Sequence, residues 1–299
     1  MNKKITAIIV TYFPDNPVVS KTIKSICNQV DRVFIVDNTP NGSDFFRDGN
    51  FLGENNIELI TLNENVGIAR AQNIGIKKAL ENRTDFVLLS DQDTFYPEKY
   101  ADRMLDIYFN LSNKDKVATL APDFIVPKNG RTRGGFILFD KDSVTVIRPE
   151  SGCHQISQAI ASGMVIPSEV FNDIGFMKED LFIDSVDSEW CWRARARGYE
   201  IIGCADVVIE HCLGGKIATW WRYSHDVRAP IRDYYIVRNG IYLSLRSPYL
   251  STGMKNTLFK TYYKYAILCI FFGKPHWKHL WYATKGFYHG LVGRLGPYK

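Results

Sequence analysis

Asp91 and Asp93, separated by Gln92, are the residues of this 299-residue chain whose types and spacing best suit binding a cation. They end an apolar run, Phe86 to Leu89, that reads as a strand. In extended backbone, residues two apart point the same way, so both carboxylates aim at one spot. Two anions so close repel unless a cation lies between them, and Mg²⁺ or Mn²⁺ suits such oxygens and can bridge to phosphate. The bland alternative is an aspartate that caps the following helix. A second acidic stretch, Asp184-Ser-Val-Asp187-Ser-Glu189-Trp190, opens a helical segment. Acids there cap free amides and complement the helix dipole, but one held beside a pocket can serve as general base. Trp190 and Trp192 are two apart and cannot both face the core of a regular helix, so one is expected to line that pocket. His211 follows the last apolar run and would end that strand on the same edge as Asp93, although a lone histidine is more often structural than a ligand. Gly214-Gly215 after it gives the loop freedom to close.

The elements that must position these residues alternate between apolar strands and helical patterns. Strands are expected at Ile5 to Val10, Arg32 to Val36, Ile57 to Leu62 and Phe86 to Leu89, and helices at about Val18 to Asn28, Val66 to Glu81 and from Pro97. Such alternation predicts a largely parallel α/β sheet. Beyond it come a strand at Val117 to Leu120, a hairpin from Gly135 to Ile147, a short apolar run at Gly163 to Ile166, a helix over Val186 to Arg197 and a last strand at Val207 to Ile209. In an open parallel sheet, ligands collect at the carboxyl ends of the strands. Here those ends carry Thr11-Tyr12, Asp37-Asn38 and Asp91-Gln92-Asp93, a pattern that favours a nucleotide cleft. The run Asn65-Val-Gly67-Ile-Ala69-Arg70 to Gly75 opens a helix with small residues, which brings its amide end near a ligand. Arg70 could then pair with a diphosphate, while Gly75 serves helix packing.

Charge is unevenly distributed. From Tyr234 to Lys299 there are ten Lys/Arg and no Asp or Glu, leaving 27 basic against 32 acidic residues before them, although the whole chain is +5. That last stretch also holds 16 of the 40 aromatic residues. It suits an anionic, partly apolar partner, either a membrane surface or, with its lysines solvated, the body of the protein itself. A nucleic-acid-binding role is disfavoured by the acidic first 233 residues and by the lack of a reading motif. The longest apolar run, Ala266 to Phe272, is too short to span a bilayer. No secretory signal is read at the N-terminus, and the six cysteines show no disulfide spacing, so a cytoplasmic protein with reduced thiols is expected.

Taken in order, these residues resemble the inverting nucleotide-sugar glycosyltransferases of family two, with a GT-A-type fold. The features are Ile9-Val10-Thr11-Tyr12, Val36-Asp37-Asn38, Asn65 to Gly75, Leu89-Ser90-Asp91-Gln92-Asp93, Ala161-Ser162-Gly163, Asp187-Ser-Glu189-Trp190 and His211. The stretches Phe182 to Trp190 and Tyr235-Ile-Val-Arg238-Asn239 look most like bacterial rhamnosyltransferases, which use dTDP-L-rhamnose to build O-antigen, capsule or cell-wall polysaccharide. The resemblance implies a mixed, mostly parallel sheet flanked by helices over residues 1–230. It also implies a helical, membrane-facing or acceptor-side region over 231–299, and placement at the inner face of the cell membrane. It puts Thr11 and Tyr12 beside the nucleotide, Asp37 on its pyrimidine ring and Asp91 near the ribose or sugar. Asn38, Asn65, Gly67, Arg70 and Gln92 join them on the donor side. Asp93 and His211 would hold the divalent metal. Asp187 fits the position of the base and is favoured, with Glu189 orienting it or a neighbouring group. The family more often has Asp at 189 and Glu at 186, a departure that keeps Asp184 and Glu189 as alternatives. Ser162, Gly163, Asp184 and Trp190 fall toward a lipid-linked saccharide acceptor. A family-two enzyme using a UDP-hexose is the alternative. A nucleotidyltransferase of the same fold would want a glycine-rich basic loop where Tyr12-Phe13-Pro14-Asp15 stands.

Overall fold

A computed structural model describes residues 3–47, 56–126, 132–212, 216–220 and 223–299. In chain order the elements are β1 (Ile5–Thr11), α1 (Asn16–Ile26), β2 (Arg32–Asp37), α2 (Asp44–Arg47), β3 (Ile57–Thr61), α3 (Ile68–Glu81), β4 (Phe86–Asp91), β5 (Thr94–Phe95), α4 (Tyr100–Asn110) and β6 (Val117–Val126). They continue with β7 (Thr132–Arg133), β8 (Phe136–Asp140), β9 (Ser143–Ile147), β10 (Cys153–Ile156), β11 (Val165–Pro167), α5 (Val170–Ile174), α6 (Val186–Ala196) and β12 (Glu200–His211). The chain then forms a hairpin, β13 (Lys216–Trp220) and β14 (Tyr223–Val227), and three helices, α7 (Pro230–Arg246), α8 (Thr252–Phe272) and α9 (His276–Val292).

The main sheet follows the path β10-β12-β6-β11-β4-β1-β2-β3, along which β10 and β11 oppose the other six strands, and short β5 and β7 add to it antiparallel to β12 and β6. It is the mixed, mostly parallel sheet flanked by helices that the sequence implied. Both faces of its centre are covered, which is why the strands read as unbroken apolar runs. Along β1 the side chains alternate between two cores. Ile8 and Val10 join α3, α5 and α6 on one face, and Ile5, Ala7 and Ile9 join α1 and α4 on the other. α3 lies close against β1 because Gly75 leaves room for Ile8, whose methyl a Cβ would meet at 2.5 Å. Register places Thr11 beside Asp37 and Val10 beside Asp91, so the polar strand ends share one edge. β12 is longer than the sequence indicated, and β5 folds back on it to pair Thr94 with His211.

α7, α8 and α9 pack on each other, and α7 and α8 also join the body of the protein. Leu243, Met254 and Leu258 enter the core that holds α3 and α6. α7 and α9 approach closely because Gly286 and Gly290, four apart on α9, face the α7 carbonyls of Tyr234 and Arg238. The three helices are pinned by a buried polar cluster. Asp233 on α7 meets His279 on α9 at 2.5 Å and accepts from the Tyr265 hydroxyl on α8 at 3.1 Å. Among the described residues, no helix is long and apolar enough to cross a membrane.

Candidate active site

At the carboxyl edge, Asp91, Asp93 and His211 place one ligand atom each within 4.8 Å of one another, the one such His/Cys/Asp/Glu group among the described residues. Asp91 comes from the end of β4, Asp93 from the turn after it, and His211 from the end of β12. His211 is held by Thr94, whose hydroxyl lies 3.2 Å from Nδ1, and the same nitrogen is 3.4 Å from Asp93. Ser162 donates to Asp91 Oδ2 at 2.5 Å and fixes that carboxylate from behind. Burial pushes the Asp93 carboxyl up to about 6, with Asp91 adding to the rise and His211 opposing it. Two carboxylates and an imidazole form a donor set that suits Mn²⁺ or Mg²⁺, and a cation there would relieve the repulsion that raises Asp93. The sequence reading assigned Asp93 and His211 to the metal and Asp91 to the ribose or sugar. The geometry adds Asp91 to the cluster.

These three residues line a cleft of about 390 Å³ together with Asn38, Asn65, Gly67, Asp184, Asp187 and two arginines. That volume suits a small ligand in a largely preformed site. One wall is the β1–β2 edge. Tyr12 N–H donates to Gln92 Oε1 at 2.8 Å, and Gln92 Nε2 returns a bond to the Tyr12 carbonyl, so the ends of β1 and β4 are tied. Asn38 donates to Asn65 and accepts from the Val66 amide at 2.8 Å, fixing the turn into α3. Gly67 caps α3 at φ +84°, and a Cβ there would come within 2.6 Å of the Phe182 carbonyl.

The opposite wall is the corner that leads into α6. Phe182, Asp184 and Ser185 all have left-handed backbone, at φ 66°, 67° and 61°. Three such residues cost roughly 1–3 kcal/mol each, so the corner persists only if its surroundings hold it. Asn239 of α7 does this, with its amide facing the carbonyls of Leu181, Ile183 and Asp184 at 2.8–2.9 Å. Arg238 donates to the Leu181 carbonyl at 2.8 Å and to Asn239 Oδ1 at 2.9 Å. Both side chains are fully buried. Replacing Asn239 by Ala should cost about 1–3 kcal/mol through the unpaired carbonyls and lower turnover at saturating substrate. Melting and steady-state rates check this, and an unchanged rate would show that the corner holds without Asn239.

Asp187 follows this corner and lines the cleft. Its carboxylate accepts from the Ala161 amide at 3.1 Å and from the Ser188 amide at 2.8 Å, so its direction is fixed. Burial pushes its carboxyl up from 3.8 to about 6 against those two bonds, and Asp91 adds to the rise. A carboxylate so tuned can accept a proton near neutral pH. Asp93 and Asp187 therefore share one cavity.

Several sequence assignments move. Glu189 is 3% exposed, and both its oxygens are taken by Arg193 at 3.0 and 2.8 Å. It braces α6 and does not orient Asp187. Trp190 does not reach an acceptor side, being fully buried with its indole N–H on the Gly175 carbonyl at 2.9 Å. Trp192 is buried too, donating to Gln158, so both tryptophans face inward. Gly163 lies behind the cleft, its carbonyl taking the Tyr100 hydroxyl. Ser162, also buried, acts through Asp91. Arg70 points away, half-exposed and 4.0 Å from Glu179. Thr11 is buried and donates to Asp37. Asp37 is likewise fully buried, its carboxylate occupied by Thr11 and the amides of Thr39 and Ser43, so it shapes the β2 turn rather than facing a ring. The Gly214-Gly215 loop lies outside the described residues. The cations lining the cleft are Arg228 and Arg232, which the sequence reading did not single out. Arg232 is held by Asp184 at 3.0 Å and Arg228 by Asp226 at 2.7 Å. Their only local signal was spacing, four apart around the proline that starts α7.

Comparison with known proteins follows the same lines. Residues 6–133 match the model of glycosyl transferase family 2. The chain is 32% identical over 255 residues to the dTDP-rhamnosyl transferase RfbF of Shigella flexneri, covering 81% of this chain and 80% of that protein. Among solved structures, GalNAc-T7 with UDP, GalNAc and Mn²⁺ superposes with a TM-score of 0.59 at 11% identity, over 87% of this chain and 55% of that one. Staphylococcus aureus TarS 1-349 gives 0.55 at 15% identity, over 97% and 82%. At such identities these two show a shared fold.

Proposed function

Because this chain belongs to glycosyltransferase family 2, we propose that it moves L-rhamnose from dTDP-L-rhamnose to a hydroxyl of a lipid-linked saccharide during bacterial surface polysaccharide synthesis. The observation that carries this reading is the single cleft in which Asp187 faces Asp91, Asp93, His211 and Arg232, joined to the 32% identity with a dTDP-rhamnosyl transferase. Asp187 takes the proton of the acceptor hydroxyl as that oxygen attacks the anomeric carbon. The bond from that carbon to the diphosphate breaks on the opposite face, and dTDP departs with the electron pair. The anomeric centre inverts, so a β-linked donor gives an α-L-rhamnoside. Asn38, Asn65 and Gly67 shape the donor wall, and Arg232, released from Asp184, meets the diphosphate charge. A divalent cation held by Asp93, His211 and Asp91 would neutralise the charge that grows on the leaving group. Calorimetric titration with dTDP-L-rhamnose, UDP-glucose and UDP-N-acetylglucosamine in the presence of Mn²⁺ tests the donor. The dTDP sugar is expected to bind at least about tenfold (1.4 kcal/mol) more tightly. Preference for a UDP sugar would overturn the rhamnose assignment and leave the enzyme class intact.

The acceptor side is read as a membrane surface. Trp277, Leu280, Trp281, Tyr288 and Leu291 recur along one side of α9 and are exposed, Trp277 at 66% and Trp281 at 60%. On α8, Tyr263, Ile267 and Phe271 recur every four residues and are half exposed. Exposed Lys264, Lys274 and Lys278 accompany them, a pairing that suits an interface bearing anionic lipid. Each large apolar side chain buried is worth about 1.5–3 kcal/mol. The double variant Trp277→Ser/Trp281→Ser should therefore lower cosedimentation with phosphatidylglycerol vesicles by roughly tenfold or more. Equal sedimentation would remove α9 from the membrane.

A further inference from the structure

Cys153 and Cys204 stand directly opposite each other across the antiparallel β10–β12 pair. The Ala205 amide donates to the Gly152 carbonyl at 2.9 Å. That bond, one residue outside the cysteines, makes them a non-hydrogen-bonded pair. Such pairs have the closest side chains of a ladder, with Cα atoms about 4.5 Å apart. A disulfide needs roughly 4.4–6.8 Å between Cα atoms. The two side chains face each other closely enough that each shifts the other's pKa, Cys153 down and Cys204 up. Cys153 is exposed at the sheet edge, while Cys204 is buried behind it.

We infer that Cys153 and Cys204 form a reversible oxidation site, at which a small-molecule disulfide converts the dithiol to a cross-strand disulfide between β10 and β12. The exposed thiol is the one a reagent can reach. The neighbouring Cys204 thiol lowers its pKa to about 7, with His154 helping while burial and Asp206 oppose, which favours the reactive thiolate. The Cys153 thiolate attacks one sulfur of the reagent, forming a mixed disulfide and expelling one small thiolate. That thiolate takes the Cys204 proton. The Cys204 sulfur then attacks Cys153, and the second small thiolate leaves. Two protein thiols are oxidised, and one reagent disulfide is reduced to two thiols. The order is set by access, because Cys153 is exposed and Cys204 is buried.

The test incubates the full chain, folded, with excess oxidised glutathione, then maps its peptides and measures its intact mass. The expected product has lost two hydrogens, carries no glutathione, and yields a linked peptide joining Cys153 to Cys204 that dithiothreitol reverses. Cys204→Ser should instead retain glutathione on Cys153, and Cys153→Ser should leave Cys204 unmodified. Two results would overturn the assignment. One is wild-type protein that accumulates glutathione on Cys153 while Cys204 stays free for alkylation after unfolding. The other is protein that leaves Cys153 unreacted.

Discussion

Asp187→Asn is expected to bind the sugar nucleotide as the native protein does and to transfer about 10²–10⁴-fold more slowly, the usual range for losing a positioned base. The substitution keeps the size of the side chain and one oxygen for the Ala161 or Ser188 amide, so the corner before α6 has little reason to move. What disappears is the site that receives the acceptor proton. Calorimetry with donor and single-turnover rates separate the two effects, and full activity in the variant would exclude Asp187 as base. The pH profile gives a second, independent reading. A base must be unprotonated to act, and burial lifts Asp187 from 3.8 to about 6. With Mn²⁺ saturating, so that Asp93, itself raised to about 6 without a cation, stays ionised, native turnover should fall as pH drops through about 6, and the residual activity of the Asn variant should lack that limb. A limb near 4 would indicate a solvated carboxylate elsewhere.

Asp93→Ala should remove the dependence of donor binding on Mn²⁺. Asp93 supplies one of the three converging ligand atoms, and the geometry offers no fourth protein group to replace it among the described residues. Even residues that only support metal ligands cost 10–100-fold in metal affinity when lost, so a loss of at least about that size is expected. Titrating Mn²⁺ into the protein with nucleotide present measures it directly. A native Mn²⁺ requirement in the variant would take Asp93 out of the cation site. His211→Ala should move in the same direction. Ser162→Ala should have a smaller effect, because it only frees the Asp91 carboxylate from its bond at 2.5 Å.

The parallel core was legible because strands covered on both faces are apolar along their whole length, as in Ile5 to Val10. The Asp91–Asp93–His211 cluster was legible in part. Asp91 and Asp93 announce themselves by spacing, and His211 by its place at a strand end. The corner before α6 was harder to see. Its acids could be listed but not ranked, since Glu189 and Asp187 differ only in what surrounds them. The Glu189–Arg193 spacing of four, a common helical ion pair, was a usable clue to its bracing role. Trp190 and Trp192 misled because α6 is buried on two sides. Trp190 packs near Phe171 of α5 and Trp192 near Phe139 of β8, so a one-faced helix was the wrong premise. Arg232 was not legible, because it reaches the cleft from an element that sequence places outside the catalytic part. The polar ends of β1 and β2 suggested ligand contacts for Thr11 and Asp37, but turns need buried acceptors too.

Asn239 lies 55 residues beyond the Asp184 carbonyl that it holds. A ribosome adds roughly 5–20 residues each second, so some seconds of synthesis separate the corner from the side chain that braces it. During that interval the carbonyls of Leu181, Ile183 and Asp184 lack the side-chain amide that pairs them. Competence to react thus arrives late in translation, together with the same helical segment that carries the exposed tryptophans. The corner is among the last parts of the cleft to be secured, since its brace follows it by 55 residues.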